Sequence, residues 1–150
     1  DALIDMDFLG LHNVLALRGD KSPDEALFTP HPQGHAHAVD LVRQIIAMNK
    51  GEFVDGEAEE CHHSEFSIGV AGYPEKHSDA TSLDEDIAYL KDKVDAGAKY
   101  ICITTRHHDG FSMFDTECSD YNIVDSTPYG KDIIAEIARE CKEQGIALRS

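Results

Sequence analysis

The apolar positions of this chain fall into short dense runs separated by longer amphipathic stretches. Runs at about 13–17, 66–71, 99–104 and 146–149 are apolar without strict alternation, the pattern of parallel strands covered on both faces. Between the first two, Ala38, Leu41, Val42, Ile45 and Ile46 recur at three- and four-residue spacing and predict a helix near 36–49. Ser82-Leu83-Asp84-Glu85 reads as a capping box, with Leu83, Ile87, Leu90 and Val94 as the apolar stripe behind it and Gly97 as the stop. A third helix, about 131–144, carries Ile133, Ile134, Ile137, Ala138 and Cys141 and ends at Gly145. Strand and helix alternate throughout, which predicts an α/β fold on a parallel sheet. The segments 21–35 and 50–65 read as polar loops, the second strongly acidic.

Length narrows this. At 150 residues the chain is one domain's worth, short of the roughly 250 of a complete (β/α)8 barrel. The expected architecture is a partial (β/α)8 (TIM) barrel, with about four parallel strands and three intervening helices. Its open sheet edges invite pairing with a second copy, so a homo-oligomer is expected. The chain opens at Asp1 without Met, in what reads as the tail of a helix (Ala2-Leu3-Ile4, Phe8-Leu9-Gly10), and is expected to be an internal piece of something longer. No apolar run approaches the ~20 residues of a membrane span, and no basic-then-apolar leader opens the chain.

The charge balance, 29 acidic against 13 basic side chains for a net −16, argues against nucleic acid or an anionic membrane as partner. It leaves room for a small anionic cofactor, because helix N-termini and one or two local cations can hold phosphates. Cys61, Cys102, Cys118 and Cys141 form no CxxC pair, which suits reduced thiols in a cytoplasmic protein. The histidines of His31-Pro32-Gln33-Gly34-His35-Ala36-His37 and Cys61-His62-His63 lack the helical i,i+4 spacing of a zinc site, and no metal is expected. Neither a GxGxxG nor a Walker loop occurs.

Two strand ends carry candidate chemistry, since ligands of βα folds gather at the C-terminal ends of the strands. Arg18-Gly19-Asp20 follows Val14-Leu15-Ala16-Leu17, and Tyr73-Pro74-Glu75-Lys76-His77 follows the second strand. Asp20 can bias a bound ring electrostatically, Gly19 admits close backbone approach, and Tyr73 and His77 offer a stacking face and an imidazole. Taken singly, Arg18 and Asp20 could equally form a surface ion pair, and Tyr73 could be a half-buried aromatic.

Over residues 1–98 these motifs occur in order with Leu-Asp-Glu-Asp…Lys-Val-Asp-Ala-Gly-Ala, and the segment resembles methylenetetrahydrofolate reductase. The resemblance implies a barrel that holds FAD and passes a hydride from NAD(P)H to methylenetetrahydrofolate, a small-molecule substrate. It places Leu17, Arg18, Gly19 and Asp20 along the flavin, with Asp20 as the catalytic group that tunes the ring. It adds His37, Ala38, Tyr73, His77, Asp86 and Lys93 as further FAD contacts. Tyr89 and Asp92 depart from the Asn and the basic residue common in that family, and a Tyr is common where His37 stands. The family's catalytic Glu belongs to a strand upstream of Asp1, and Thr104 stands where its folate-contacting Gln falls. The chain by itself is therefore expected to be inactive.

Residues 97–150 carry a different set: Thr104-Thr105-Arg106-His107-His108-Asp109-Gly110-Phe111, Phe114-Asp115, Ser119-Asp120-Tyr121-Asn122 and Asp132-Ile133-Ile134. This stretch resembles the α-L-fucosidases of one glycoside hydrolase family, which implies that His107 and His108 bind a fucose ring. Retaining hydrolysis needs two carboxyl groups ~5–5.5 Å apart. The family's pair lies downstream of residue 150, so weak binding of a fucoside without cleavage is the alternative expectation. An inert half-barrel is a third. The two signatures meet at Asp95-Ala96-Gly97-Ala98, and the chain reads as a joined one, 1–98 reductase-like and 99–150 fucosidase-like, forming one compact unit.

Overall fold

A computed structural model describes residues 2–25, 28–52, 62–77 and 80–150. Four strands, β1 (Asn13–Ala16), β2 (Ser67–Ala71), β3 (Tyr100–Cys102) and β4 (Ala147–Arg149), form one sheet in chain order with every neighbouring pair parallel. Helices α1 (Ala2–Phe8), α2 (Ala38–Asn49), α3 (Leu83–Asp95), α4 (Ile123–Ser126) and α5 (Ile133–Glu143) accompany them. This is the predicted partial barrel, with α2, α3 and α5 as the crossover helices, α1 where a helix tail was expected, and α4 as an addition. Each strand falls within its predicted apolar run, with ends that differ by at most two residues, and α2 starts at Ala38 because the carboxylate of Asp40 accepts the His37 N–H at 3.1 Å.

The core lies on one side of the sheet. Ile68, Val70 and Ile101 pack with Val42, Ile45 and Met48 of α2 and Cys141 of α5, all buried. Register accounts for the other face. Residues alternate along each strand, so Leu15, Gly69, Tyr100 and Ala147 share one cross-strand row opposite the helices. Leu15 remains 43% exposed there. The Tyr100 ring lies across Gly69, where an added Cβ would fall 2.1 Å from the ring, and its hydroxyl donates to the Val14 carbonyl at 3.0 Å.

α3 departs from expectation. Its stripe is not buried: Leu83 and Ile87 are each more than half exposed, and only Leu90 and Val94 turn partly inward. The helix is set by its N-terminus, where Ser82 Oγ accepts the Glu85 N–H at 3.1 Å. The Glu85 carboxylate accepts the N–H and hydroxyl of Thr81, both at 2.6 Å. At the other end Gly97 has φ +122, and Ile46 occupies the space a side chain there would need.

The segment after β3 forms a small unit that the apolar pattern did not announce. Ser112 bridges Arg106 on one side and Asn122 on the other. Asn122 is fully buried and caps α4, accepting the N–H groups of Val124 and Asp125 while donating to Ser119 and Asp125. Among the described residues no helix is long and apolar enough to cross a membrane.

Candidate functional site at the C-terminal ends of the strands

Four of the singled-out residues converge after β2. Tyr73 and His77 meet edge to face, ring centroids 5.2 Å apart. The N–H of His77 donates to the carboxylate of Asp86 at 2.8 Å, which ties the loop to the first turns of α3. From the last turn of the same helix, Lys93 reaches back and its ammonium donates to the carbonyl of Ala71, the final residue of β2, at 3.0 Å. Burial pushes the Lys93 pKa down, and the neighbouring Asp86 carboxylate works against that shift. Lys76 closes the loop by donating to the carbonyls of His77 and Ala80.

The end of β1 lies beside this cluster, because Ala16 and Val70 are register partners on adjacent parallel strands. Gly19 turns the chain there with φ +83, and a Cβ on it would meet nothing within 4 Å. Leu17, Gly19 and Asp20 are exposed and Arg18 is half-buried. The Arg18 guanidinium carbon sits 4.7 Å from the centroid of the Phe28 ring, a cation–π contact. His37 and Ala38 open α2, with the His37 backbone held by Asp40.

His107 and His108 stand after β3, both exposed, in a turn of its own. The N–H of His107 donates to the Phe111 carbonyl and that of Gly110 to the His107 carbonyl. Asp109 accepts from the Phe111 N–H at 3.0 Å and from the Tyr121 hydroxyl at 3.2 Å. The Phe111 bond is the larger cause, ahead of Tyr121 and nearby His107, of an Asp109 pKa held below the usual carboxylate range.

Three histidines of the polar loops have polar partners. His31 Nδ1 accepts the Gln33 N–H, His35 Nε2 lies 2.6 Å from Gln44 Oε1, and His62 Nε2 lies 2.6 Å from Asp7 Oδ2. Among the described residues no group of three or more His, Cys, Asp or Glu could hold a metal ion. Cys61, weighed with His62 and His63, lies outside the described residues.

The family model for methylenetetrahydrofolate reductase matches residues 1–139. The chain belongs to the methylenetetrahydrofolate reductase family. A probable methylenetetrahydrofolate reductase (NADH) of Oryza sativa subsp. japonica is 40% identical over 135 residues, covering 83% of this chain and 20% of the relative. Methylenetetrahydrofolate reductase 2 of Saccharomyces cerevisiae is 40% identical over 111 residues, covering 73% of this chain and 16% of the relative. The chain thus spans a fifth or less of the length of these two reductases. A solved α-L-fucosidase, AlfC from Lactobacillus casei, matches at 42% identity over 35% of this chain and 16% of its own, with a TM-score of 0.34. The reductase-family match does not stop at residue 98 but runs across Asp95–Ala98 and 41 residues beyond (139 − 98).

Sequence reasoning missed three residues around the site. Phe28 is the one Phe, Tyr or Trp in the polar segment 21–35, and that isolation was a readable signal. Lys76 and Tyr100 left none, because their roles are tertiary: one wraps a loop, the other spans from β3 to β1.

Proposed function

We propose that the chain carries the flavin-gripping strand ends of an NAD(P)H-linked methylenetetrahydrofolate reductase, a cytoplasmic enzyme that reduces 5,10-methylenetetrahydrofolate to 5-methyltetrahydrofolate. The observation that carries this reading is the clamp of Tyr73, His77, Asp86 and Lys93 across β2 and α3. The donor set fits FAD. Tyr73 offers a flat face, Lys93 and Arg18 offer cations toward phosphates, and Asp20 offers a carboxylate at the ring. Gly19, with open space where a Cβ would stand, lets the backbone approach. Leu17 is the apolar neighbour of that turn, and His37 and Ala38 contribute from the start of α2. When bound, FAD carries the hydride between NAD(P)H and the folate; the chain's own residues bind it, orient it and set the charge around it.

Thr104 stands where the family's folate-contacting Gln falls, so this chain alone holds the flavin without completing transfer to folate. The experiment is gel filtration after incubation with FAD. A yellow protein peak, with no 5-methyltetrahydrofolate formed, is the expected result. A colourless peak at micromolar protein would overturn the reading.

A second reading attaches to residues 99–150, where His107 and His108 sit exposed on a turn braced by Asp109 and Tyr121. Such a turn could take a fucose ring through imidazole hydrogen bonds without cleaving it. Stabilisation of the fold by fucose and not by FAD would favour it over the reductase reading, and melting unmoved by either ligand would leave an inert half-barrel.

A further inference from the structure

At the opposite, N-terminal end of the strands, α1 and the residues leading into β1 and β2 line a cavity of about 550 Å³. That volume lies within the range of small-molecule sites. We propose that this cavity binds a small organic cation with an apolar body, of the arylalkylamine class. The inference stands apart from the flavin reading and concerns the other end of the sheet.

The lining divides into an apolar wall and a polar set. Ile4 and Phe8, one turn apart on α1, form the wall, and Phe8 is 89% exposed. An exposed aromatic ring beside carboxylates offers its face to a cation. The polar set is Asp7, Glu65 and the imidazoles of His12, His62 and His63, with no Lys or Arg among the described lining residues. The Asp7 side chain is only 10% exposed; its Oδ2 lies 2.6 Å from His62 Nε2 and its Oδ1 3.5 Å from His12 Nδ1. A carboxylate only accepts, so Nε2 of a neutral His62 carries the proton and Nδ1 is left as an acceptor. Neither His63 nor Glu65 has a polar partner among the described residues. Above the ordinary imidazole range the lining therefore holds two carboxylates and three neutral rings. Such a lining favours a ligand that carries positive charge and donates hydrogen bonds, and the net charge of −16 draws it in. Among the described residues no group of three or more His, Cys, Asp or Glu could hold a metal ion, so the cation that suits this cavity is organic.

The test is a titration of phenethylamine, 2-phenylethanol and 3-phenylpropionate, followed through the NMR shifts of the imidazole protons. The proteins are the wild-type chain, Glu65→Gln, Phe8→Ser and, as a control acid on α3, Asp84→Asn. At pH 8 the amine should bind saturably and move His12, His62 and His63, the alcohol should bind more weakly, and the carboxylate should not bind. Glu65→Gln and Phe8→Ser should each weaken the amine by about two- to fivefold, the scale of an exposed ion pair or cation–π contact. Asp84→Asn should leave its affinity unchanged. At pH 5.5 three imidazolium charges oppose the ligand, and its affinity should fall by about tenfold. Binding of amine and carboxylate alike, binding that does not saturate, or undiminished affinity at pH 5.5 would overturn the proposal. So would Asp84→Asn weakening the amine as much as Glu65→Gln, or Glu65→Gln and Phe8→Ser both being without effect.

Discussion

Gly69 and Tyr100 show how much of the open sheet face depends on one missing atom. The ring of Tyr100 occupies the volume of a Gly69 side chain and spends its hydroxyl on the Val14 carbonyl, so it bridges β3 to β1 over β2. Gly69→Ala should therefore destabilise the fold by roughly 1–3 kcal/mol, the cost of forcing a packed side chain to move. In a Tyr100→Ala background the same substitution should cost much less, because the two residues couple through direct contact. Chemical denaturation of the four proteins checks both statements. At this scale the sequence was readable where a residue's place is set by neighbours in the chain, as for Arg18-Gly19-Asp20 after β1. It was unreadable where the partner is distant, as for Tyr100 with Val14.

At the scale of elements, α3 connects local signals to the site. Ser82 caps it, so Ser82→Ala should cost about 1 kcal/mol in denaturation. The same end carries a pH effect. The hydroxyl and N–H of Thr81, then the Tyr89 hydroxyl, hold the Glu85 carboxyl below its ordinary range. A carboxyl with a lowered folded pKa contributes stability that is present above its unfolded value, about 4.3, and fades as pH falls through the folded value. The stability gap between wild type and Glu85→Gln should thus be constant from pH 6 to 7 and shrink below about pH 4. A gap that widened on acidification would contradict the assignment.

The helix also shows where patterning misleads. Leu83, Ile87, Leu90 and Val94 have the spacing of a buried stripe, yet the first two face outward. Periodicity reports which side chains share a face and not whether anything covers that face. α2 had the same kind of pattern and does bury it, because Val42, Ile45 and Met48 lie against β1 and β2. Strand order and the parallel sense were legible from the βα alternation, whereas the bridges of Ser112 and the cap of Asn122 rest on polar groups that leave no periodic trace.

At the scale of the whole molecule, the four-stranded sheet has two edge strands and, among the described residues, a partly exposed face. β1 and β4 each have one paired neighbour, and Leu15 and Leu17 are about half exposed. Unpaired strand edges seek partners. We propose that the isolated chain self-associates through them, against the repulsion of its net −16. Light scattering should give a mass above 16.5 kDa that rises with salt as that repulsion is screened; a monodisperse monomer at high concentration and high salt would refute it.

The flavin grip itself is tested most directly by equilibrium titration of FAD into the wild-type chain and into Lys93→Met. Lys93 is held against the Ala71 carbonyl at the cost of burying its charge, so removing that charge should leave the melting temperature of the flavin-free chain undiminished. FAD should bind the wild type at a single saturable site and the variant about tenfold more weakly, the scale of one lost charge-assisted contact. Identical affinity in the two proteins, or no saturable binding to the wild type, would contradict the site assigned to the ends of β1 and β2.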